Sequence, residues 1–120
     1  MRVLIVDDVA AVREGLRLLL SDEPDIDIVG EASTAEEAVS RTAELSPDVV
    51  LMDIEMPGGD GLQATQQLKA RPQPPRVVVM SVYADDAMRA RARAAGADAF
   101  VEKSLFQEMH AALRATQSLE

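Results

Sequence analysis

The chain has 120 residues, enough for one domain and too few for two. Apolar residues make up 48% of it, which supports a buried core, and 21 acidic against 12 basic side chains leave a net charge of −9. That balance argues against direct binding to nucleic acid, which needs Lys and Arg against phosphates, and the lack of cysteine excludes disulfides, thiolate metal sites and thiol nucleophiles.

The first apolar run, Val3-Leu4-Ile5-Val6, ends directly in Asp7-Asp8. It is far too short for a signal-peptide core or a membrane span, so the cytoplasm is the default expectation. Arg2–Val6 instead reads as a first strand. Val9, Val12, Leu16 and Leu19 or Leu20 then recur at helical spacing, interrupted by Gly15, which costs about 1 kcal/mol against Ala. Ile26–Glu31 is the second strand, and Asp27 inside it points to an edge position. Ser33-Thr34-Ala35-Glu36 predicts a capping box, with Ala35, Ala38, Val39, Thr42 and Leu45 facing inward and Pro47 beyond the helix end.

Val49–Met52 is the third strand. Asp60 is placed to cap a third helix that buries Leu62, Thr65 and Leu68 and ends in Arg71-Pro72-Gln73-Pro74-Pro75. Arg76–Met80 is the fourth strand. The fourth helix runs from Asp85-Asp86 to Ala95-Gly96, where glycine can take the left-handed cap. Ala99–Val101 is the fifth strand, after which Ser104 with Gln107 opens a helix carrying Leu105, Met109, Ala112 and Leu113 on one stripe.

Near-continuous Val, Ile, Leu and Met suits strands covered on both faces, and alternating βα units imply right-handed crossovers in a parallel sheet. The expected class is α/β, a flavodoxin-like (βα)5 doubly wound fold with strand order 2-1-3-4-5. In such sheets ligands bind outside the carboxyl ends of the strands. Asp7 and Asp8 follow the first strand, Asp53 the third, Ser81 the fourth and Lys103 the fifth, so all five reach the same edge.

Three carboxylates in one cleft repel one another unless a cation intervenes. An oxygen-rich site without His or Cys suits Mg²⁺, while a lysine charge and a serine hydroxyl suit a phosphoryl group. Each residue taken singly has a plainer reading: an Asp-Asp pair as a helix cap, an Asp as a turn residue. Their combination in this order at five strand ends is what points to chemistry.

The residues also resemble a family. Val3-Leu4-Ile5-Val6-Asp7-Asp8, Val49-Val50-Leu51-Met52-Asp53-Ile54-Glu55-Met56-Pro57-Gly58-Gly59-Asp60-Gly61, Val79-Met80-Ser81 and Ala95-Gly96-Ala97-Asp98-Ala99-Phe100-Val101-Glu102-Lys103 are similar to the receiver domain of bacterial two-component response regulators, over essentially the whole chain. The resemblance implies one receiver domain over residues 1–120, with Asp53 as phosphoacceptor for a sensor histidine kinase. Asp8, Asp53 and the backbone carbonyl of Glu55 would ligate Mg²⁺, with Asp7 acting largely through bound water. Lys103 and Ser81 would bind phosphoryl oxygens, and Phe100 would be the aromatic switch on a face formed by the fourth helix, fifth strand and fifth helix.

The family usually has proline after the strand-5 lysine, where this chain has Ser104. A cis Lys103–Ser104 bond would cost about 2.5–4 kcal/mol, so a trans bond is expected. This feature and the Met-Pro-Gly-x-Asp-Gly loop resemble the NarL/FixJ type, whose members commonly carry a DNA-binding helix-turn-helix domain after the receiver; no such domain falls within these residues. Homodimerisation on phosphorylation is a further implication. Glu55 and Tyr83 are expected to border the path of water towards an acyl phosphate, with Tyr83 hindering it.

Arg89, Arg91 and Arg93 form an expected basic patch on the fourth helix, and His110 is expected at the surface. Three rivals are weaker. A haloacid-dehalogenase-type phosphatase places its aspartyl nucleophile after the first strand. A flavin carrier needs a Ser/Thr/Gly phosphate cradle where this chain has Asp7-Asp8-Val9-Ala10. A degenerate receiver, serving only as an interaction module, fits poorly with the complete set of Asp7, Asp8, Asp53, Ser81 and Lys103.

Overall fold

A computed structural model describes residues 1–56, 59–103 and 109–117, with the backbone alone at 59, 60 and 110. Its elements in order are β1 (Arg2–Val6), α1 (Ala10–Leu20), β2 (Asp27–Ala32), α2 (Ala35–Leu45), β3 (Val49–Asp53), β4 (Glu55–Met56), β5 (Gly59–Asp60), α3 (Gly61–Lys69), β6 (Arg76–Ser81), α4 (Asp86–Ala94), β7 (Ala99–Glu102) and α5 (Met109–Gln117).

The five long strands form one parallel sheet in the order β2-β1-β3-β6-β7, while β4 and β5 make a two-stranded antiparallel ribbon. Counting only the long strands, this is the expected 2-1-3-4-5 order, with Asp27 on an edge strand as its charge suggested. Between Val3 and Leu4 the register with β2 shifts by one residue, a bulge beside Gly30.

Strand alternation sends neighbouring residues to opposite sides of the sheet. Val3, Ile5, Val49, Leu51, Val78, Met80 and Val101 pack with Leu16 and Leu20 of α1 and Met109 and Leu113 of α5. Leu4, Val6, Val50, Met52, Val77 and Val79 pack with Ala38 of α2, Leu62, Ala64 and Leu68 of α3, and Ala92 of α4. Helices therefore cover both faces, and the sheet's central strands are apolar on each.

The helix ends follow from local chemistry. Asp85 caps α4 by accepting from Met88 N at 2.8 Å. At its other end Gly96 has φ +99, Ala97 N donates to Ala92 O at 3.0 Å, and Gly96 N to Arg93 O at 3.0 Å, which is a Schellman closure.

The capping box of α2 lies one residue later than expected. Thr34, not Ser33, accepts from Glu37 N at 3.0 Å, and the Glu37 carboxylate accepts from Ser33 N at 2.8 Å. Both Ser33 and Thr34 can cap, and extended backbone at Thr34 decides between them. Strands β3, β6 and β7 each run one residue beyond the expected end, so Asp53 and Ser81 are still paired in the ladder. Capping by Asp60, opening of α5 by Ser104 and Gln107, Leu105 on its stripe, the Lys103–Ser104 peptide and the His110 side chain lie outside the described residues. Among the described residues no helix is long and apolar enough to cross a membrane.

Candidate functional site

Parallel pairing brings the carboxyl ends of β1, β3, β6 and β7 to one edge, and the expected residues meet there. Asp7, Asp53 and Ser81 are fully buried, whereas Asp8 is exposed. Carboxylate oxygens of Asp7, Asp8 and Asp53 lie within 4.8 Å of one another, the one acidic group of this kind among the described residues. Lys103 reaches into it from the end of β7, with Nζ 2.9 Å from Asp7 Oδ2 and 3.0 Å from Asp53 Oδ1. Both contacts are ion pairs between a largely buried ammonium and fully buried carboxylates.

Asp7 Oδ1 accepts from Val9 N at 2.9 Å, closing the turn into α1. Asp53 Oδ1 accepts from Glu55 N at 2.9 Å, while Asp53 Oδ2 is buried without a hydrogen-bond partner. Burial pushes the Asp53 carboxyl above the ordinary aspartate range, and Asp7 adds to this; the Glu55 amide and Lys103 pull the other way without prevailing. Burial alone would lower the Lys103 ammonium, but its contacts with Asp7 and Asp53 outweigh this and hold it above the ordinary lysine value.

The site fits a hard divalent cation on two observations. Its donors are all oxygen, and three carboxylates face one ammonium with a buried carboxylate oxygen left over. Exposed Asp8 leaves the cluster open to solvent on one side.

Two contributors escape a reading by strand ends. Arg13, on α1, donates to the Asp7 main-chain oxygen at 2.7 Å and to Glu31 Oε1 at 2.8 Å, so it braces the acidic loop from behind. Glu31 also accepts from Arg17, and although burial raises its carboxyl, the two guanidinium groups lower it below the ordinary glutamate range. The Glu55 side chain is the other. Ser81 Oγ donates to Glu55 Oε2 at 2.5 Å, and Val82 N donates to Glu55 Oε1 at 2.9 Å. Neither contact had a sequence signal, because both depend on side-chain reach between elements far apart in the chain.

Phe100 stands apart from the cluster. It is half-buried on β7, with the Arg89 guanidinium 4.6 Å from its ring centroid. The expected basic patch is divided: Arg89 and Arg93 line a groove of about 230 Å³ with Phe100, whereas Arg91 lines another beside Leu62, Gln63 and Gln66. Residues two apart on a helix point to different sides, which is why Arg91 parts from its neighbours.

The fold and edge cluster define a doubly wound α/β protein with an acidic, lysine-paired site at the carboxyl edge of its sheet. Residues 3–114 match the response regulator receiver domain, and the chain belongs to that family. It is 46% identical over 85 residues to the transcriptional regulatory protein LiaR of Bacillus subtilis, covering 71% of this chain and 40% of that one. Among solved structures it superposes on a LuxR-family two-component response regulator from Aurantimonas sp. SI85-9A1 with TM-score 0.92 and 34% identity, over 98% of this chain and 84% of that one. The signal receiver domain of NarL from Mycobacterium tuberculosis matches with TM-score 0.88 and 31% identity, over 97% and 95%. The chain spans about half the length of the curated relatives it matches.

Proposed function

We propose that residues 1–120 form one phosphoacceptor domain that takes a phosphoryl group on Asp53 from a sensor histidine kinase and uses it to control an output. The observation that carries this reading is the fully buried Asp53, one oxygen without a partner, beside Lys103 and two further carboxylates. A carboxylate oxygen of Asp53 attacks phosphorus, the P–N bond of the donor phosphohistidine breaks, and its imidazole leaves. The transition state is loose, so the protein's task is alignment and neutralisation of equatorial charge. Lys103 supplies a fixed positive charge within 3.0 Å of the attacking carboxylate. Ser81 offers a hydroxyl to the product oxygens.

Asp8, Asp53 and the Glu55 main-chain carbonyl would hold Mg²⁺, with Asp7 acting largely through water; the bound ion would offset the acidic cluster and the phosphoryl charge. The chain assists its own phosphorylation and dephosphorylation and turns over no separate substrate. Phosphorylation adds nearly two negative charges. Ser81 and its loop move towards them, Phe100 moves inward, and the α4–β7–α5 face shifts between two populations. That face then controls transcription through a DNA-binding domain carried C-terminal to these residues, and it supports homodimerisation; the transcriptional relatives and their greater length favour this output. The site of action is the cytoplasm.

Intact mass after incubation with acetyl phosphate tests the reading. One added phosphoryl group is expected in the wild type, dependent on Mg²⁺ and lost in Asp53→Asn. No addition to the wild type would leave an interaction module that works without phosphorylation.

A further inference from the structure

We infer that the Glu55 side chain is a latch, holding the Ser81–Tyr83 loop at rest by occupying the hydroxyl that a phosphoryl group on Asp53 would need. This rests on Asp53 as phosphoacceptor. Ser81 has one hydroxyl proton, and it is given to Glu55 Oε2 at 2.5 Å. The same oxygen atom of Ser81 accepts from Tyr83 N at 2.9 Å, and the other Glu55 oxygen accepts from Val82 N at 2.9 Å. One carboxylate thus gathers two donors of the loop, and the loop's own serine is tied at both its donor and acceptor sides. Ser81 is fully buried, so water does not readily replace Glu55.

The latch is also coupled to the acceptor. Glu55 N donates to Asp53 Oδ1, and Glu55 pairs with Asp60 in the β4–β5 ribbon, so its carboxylate is anchored within two residues of the reacting group. A hydroxyl proton cannot serve Glu55 and a phosphoryl oxygen together. A phosphoryl group also brings negative charge against the Glu55 carboxylate, so latch and phosphoryl group exclude one another. Opening frees residues 81–83, which lead directly into Asp85, the cap of α4. Glu55 is therefore a positioning residue that sets how much of the resting state is populated.

Two variants separate this from simple charge repulsion. Glu55→Asp keeps the charge but is one methylene too short to span the loop. Glu55→Gln keeps the length and one accepting oxygen but loses the charge. Backbone ¹H–¹⁵N spectra of the wild type in Mg²⁺, without and with beryllium trifluoride, define the resting and loaded positions of the Val82, Tyr83 and Met88 amides. Without beryllium trifluoride, Glu55→Asp should lie shifted towards the loaded positions and Glu55→Gln should lie nearer rest. The half-saturating beryllium trifluoride concentration should fall about fivefold in Glu55→Asp, the worth of one net hydrogen bond. Spectra of Glu55→Asp at the resting positions, or a larger shift in Glu55→Gln than in Glu55→Asp, would overturn the latch. A wild type that takes up no beryllium trifluoride would overturn the phosphoacceptor reading itself and the latch with it, a result visible before any variant is made.

Discussion

At the scale of single residues, Asp53 and Asp7 bury charge that folding alone does not call for. The Asp53 carboxyl is raised, chiefly by burial, so its stabilising contribution is present below the ordinary aspartate range and lost as pH rises through its folded value. Without metal, the buried Asp53 carboxylate therefore opposes folding once pH has passed that value. Asp53→Asn should raise the metal-free unfolding free energy by about 1 kcal/mol, opposite to the usual sign for a buried substitution; an unchanged or lower thermal midpoint would show that the pairing with Lys103 dominates. Glu31 behaves in the reverse sense. Arg13 and Arg17 depress its carboxyl, so its contribution is complete above the ordinary glutamate range and fades as pH falls through the lower folded value. Glu31→Gln should cost no more than about 1 kcal/mol at neutral pH, because the pairs are partly exposed, and the difference from wild type should shrink in acid. Urea unfolding at neutral and acid pH measures both. Tyr83 is 59% exposed beside Ser81, and its ring is expected to obstruct attacking water. Tyr83→Ala should then speed loss of the phosphoryl group; the same decay rate in both proteins would leave it a surface residue.

At the scale of elements, two glycines make opposite predictions. Gly15 lies exposed inside α1, and a Cβ there meets nothing within 4 Å. Gly15→Ala should stabilise the protein by about 0.5–1 kcal/mol through helix propensity alone. Gly61 opens α3 against the backbone of Asp53 and Ile54, where a Cβ would lie 2.4 Å from Asp53 O and 2.7 Å from Ile54 Cα. Those are backbone atoms and cannot swing aside. Gly61→Ala should cost about 1–3 kcal/mol, the range for overpacking, and should weaken Mg²⁺ binding by displacing residues 53–55; paired denaturation and metal titrations would show whether the two effects travel together.

The same contrast marks what the sequence disclosed. Apolar runs and caps exposed every long strand and helix, because both periodicity and capping are local. Asp7, Asp8, Asp53, Ser81 and Lys103 were legible because parallel βα topology sends every strand's carboxyl end to one edge. Arg13 on Asp7 O, Glu55 on Ser81 and Arg89 over Phe100 were not legible, since each depends on a rotamer bridging separate elements. The one-residue shift in the α2 cap came from two adjacent residues of equal capping ability.

At the scale of the whole molecule, charge links the site to stability. A net charge of −9 repels itself throughout the chain, and three of those carboxylates are gathered at one edge, two of them fully buried. Any salt screens the diffuse part, whereas a cation held at the edge acts on the concentrated part. These effects separate by saturation and by mutation. Binding to the folded state alone stabilises by about 2.7 kcal/mol when free ligand is 100 times Kd. In a domain of this size that moves the thermal midpoint by about 10 °C. Mg²⁺ should therefore raise the midpoint along a saturating curve, and KCl at equal ionic strength should produce only a small, unsaturating rise. Asp8 is exposed and makes the cleanest test, since Asp8→Asn removes a site carboxylate without disturbing the core. The variant should match the wild type without metal and lose most of the Mg²⁺ response. If KCl reproduces the response, or Asp8→Asn retains it in full, the stabilisation is general screening and the edge cluster is not the ion's seat.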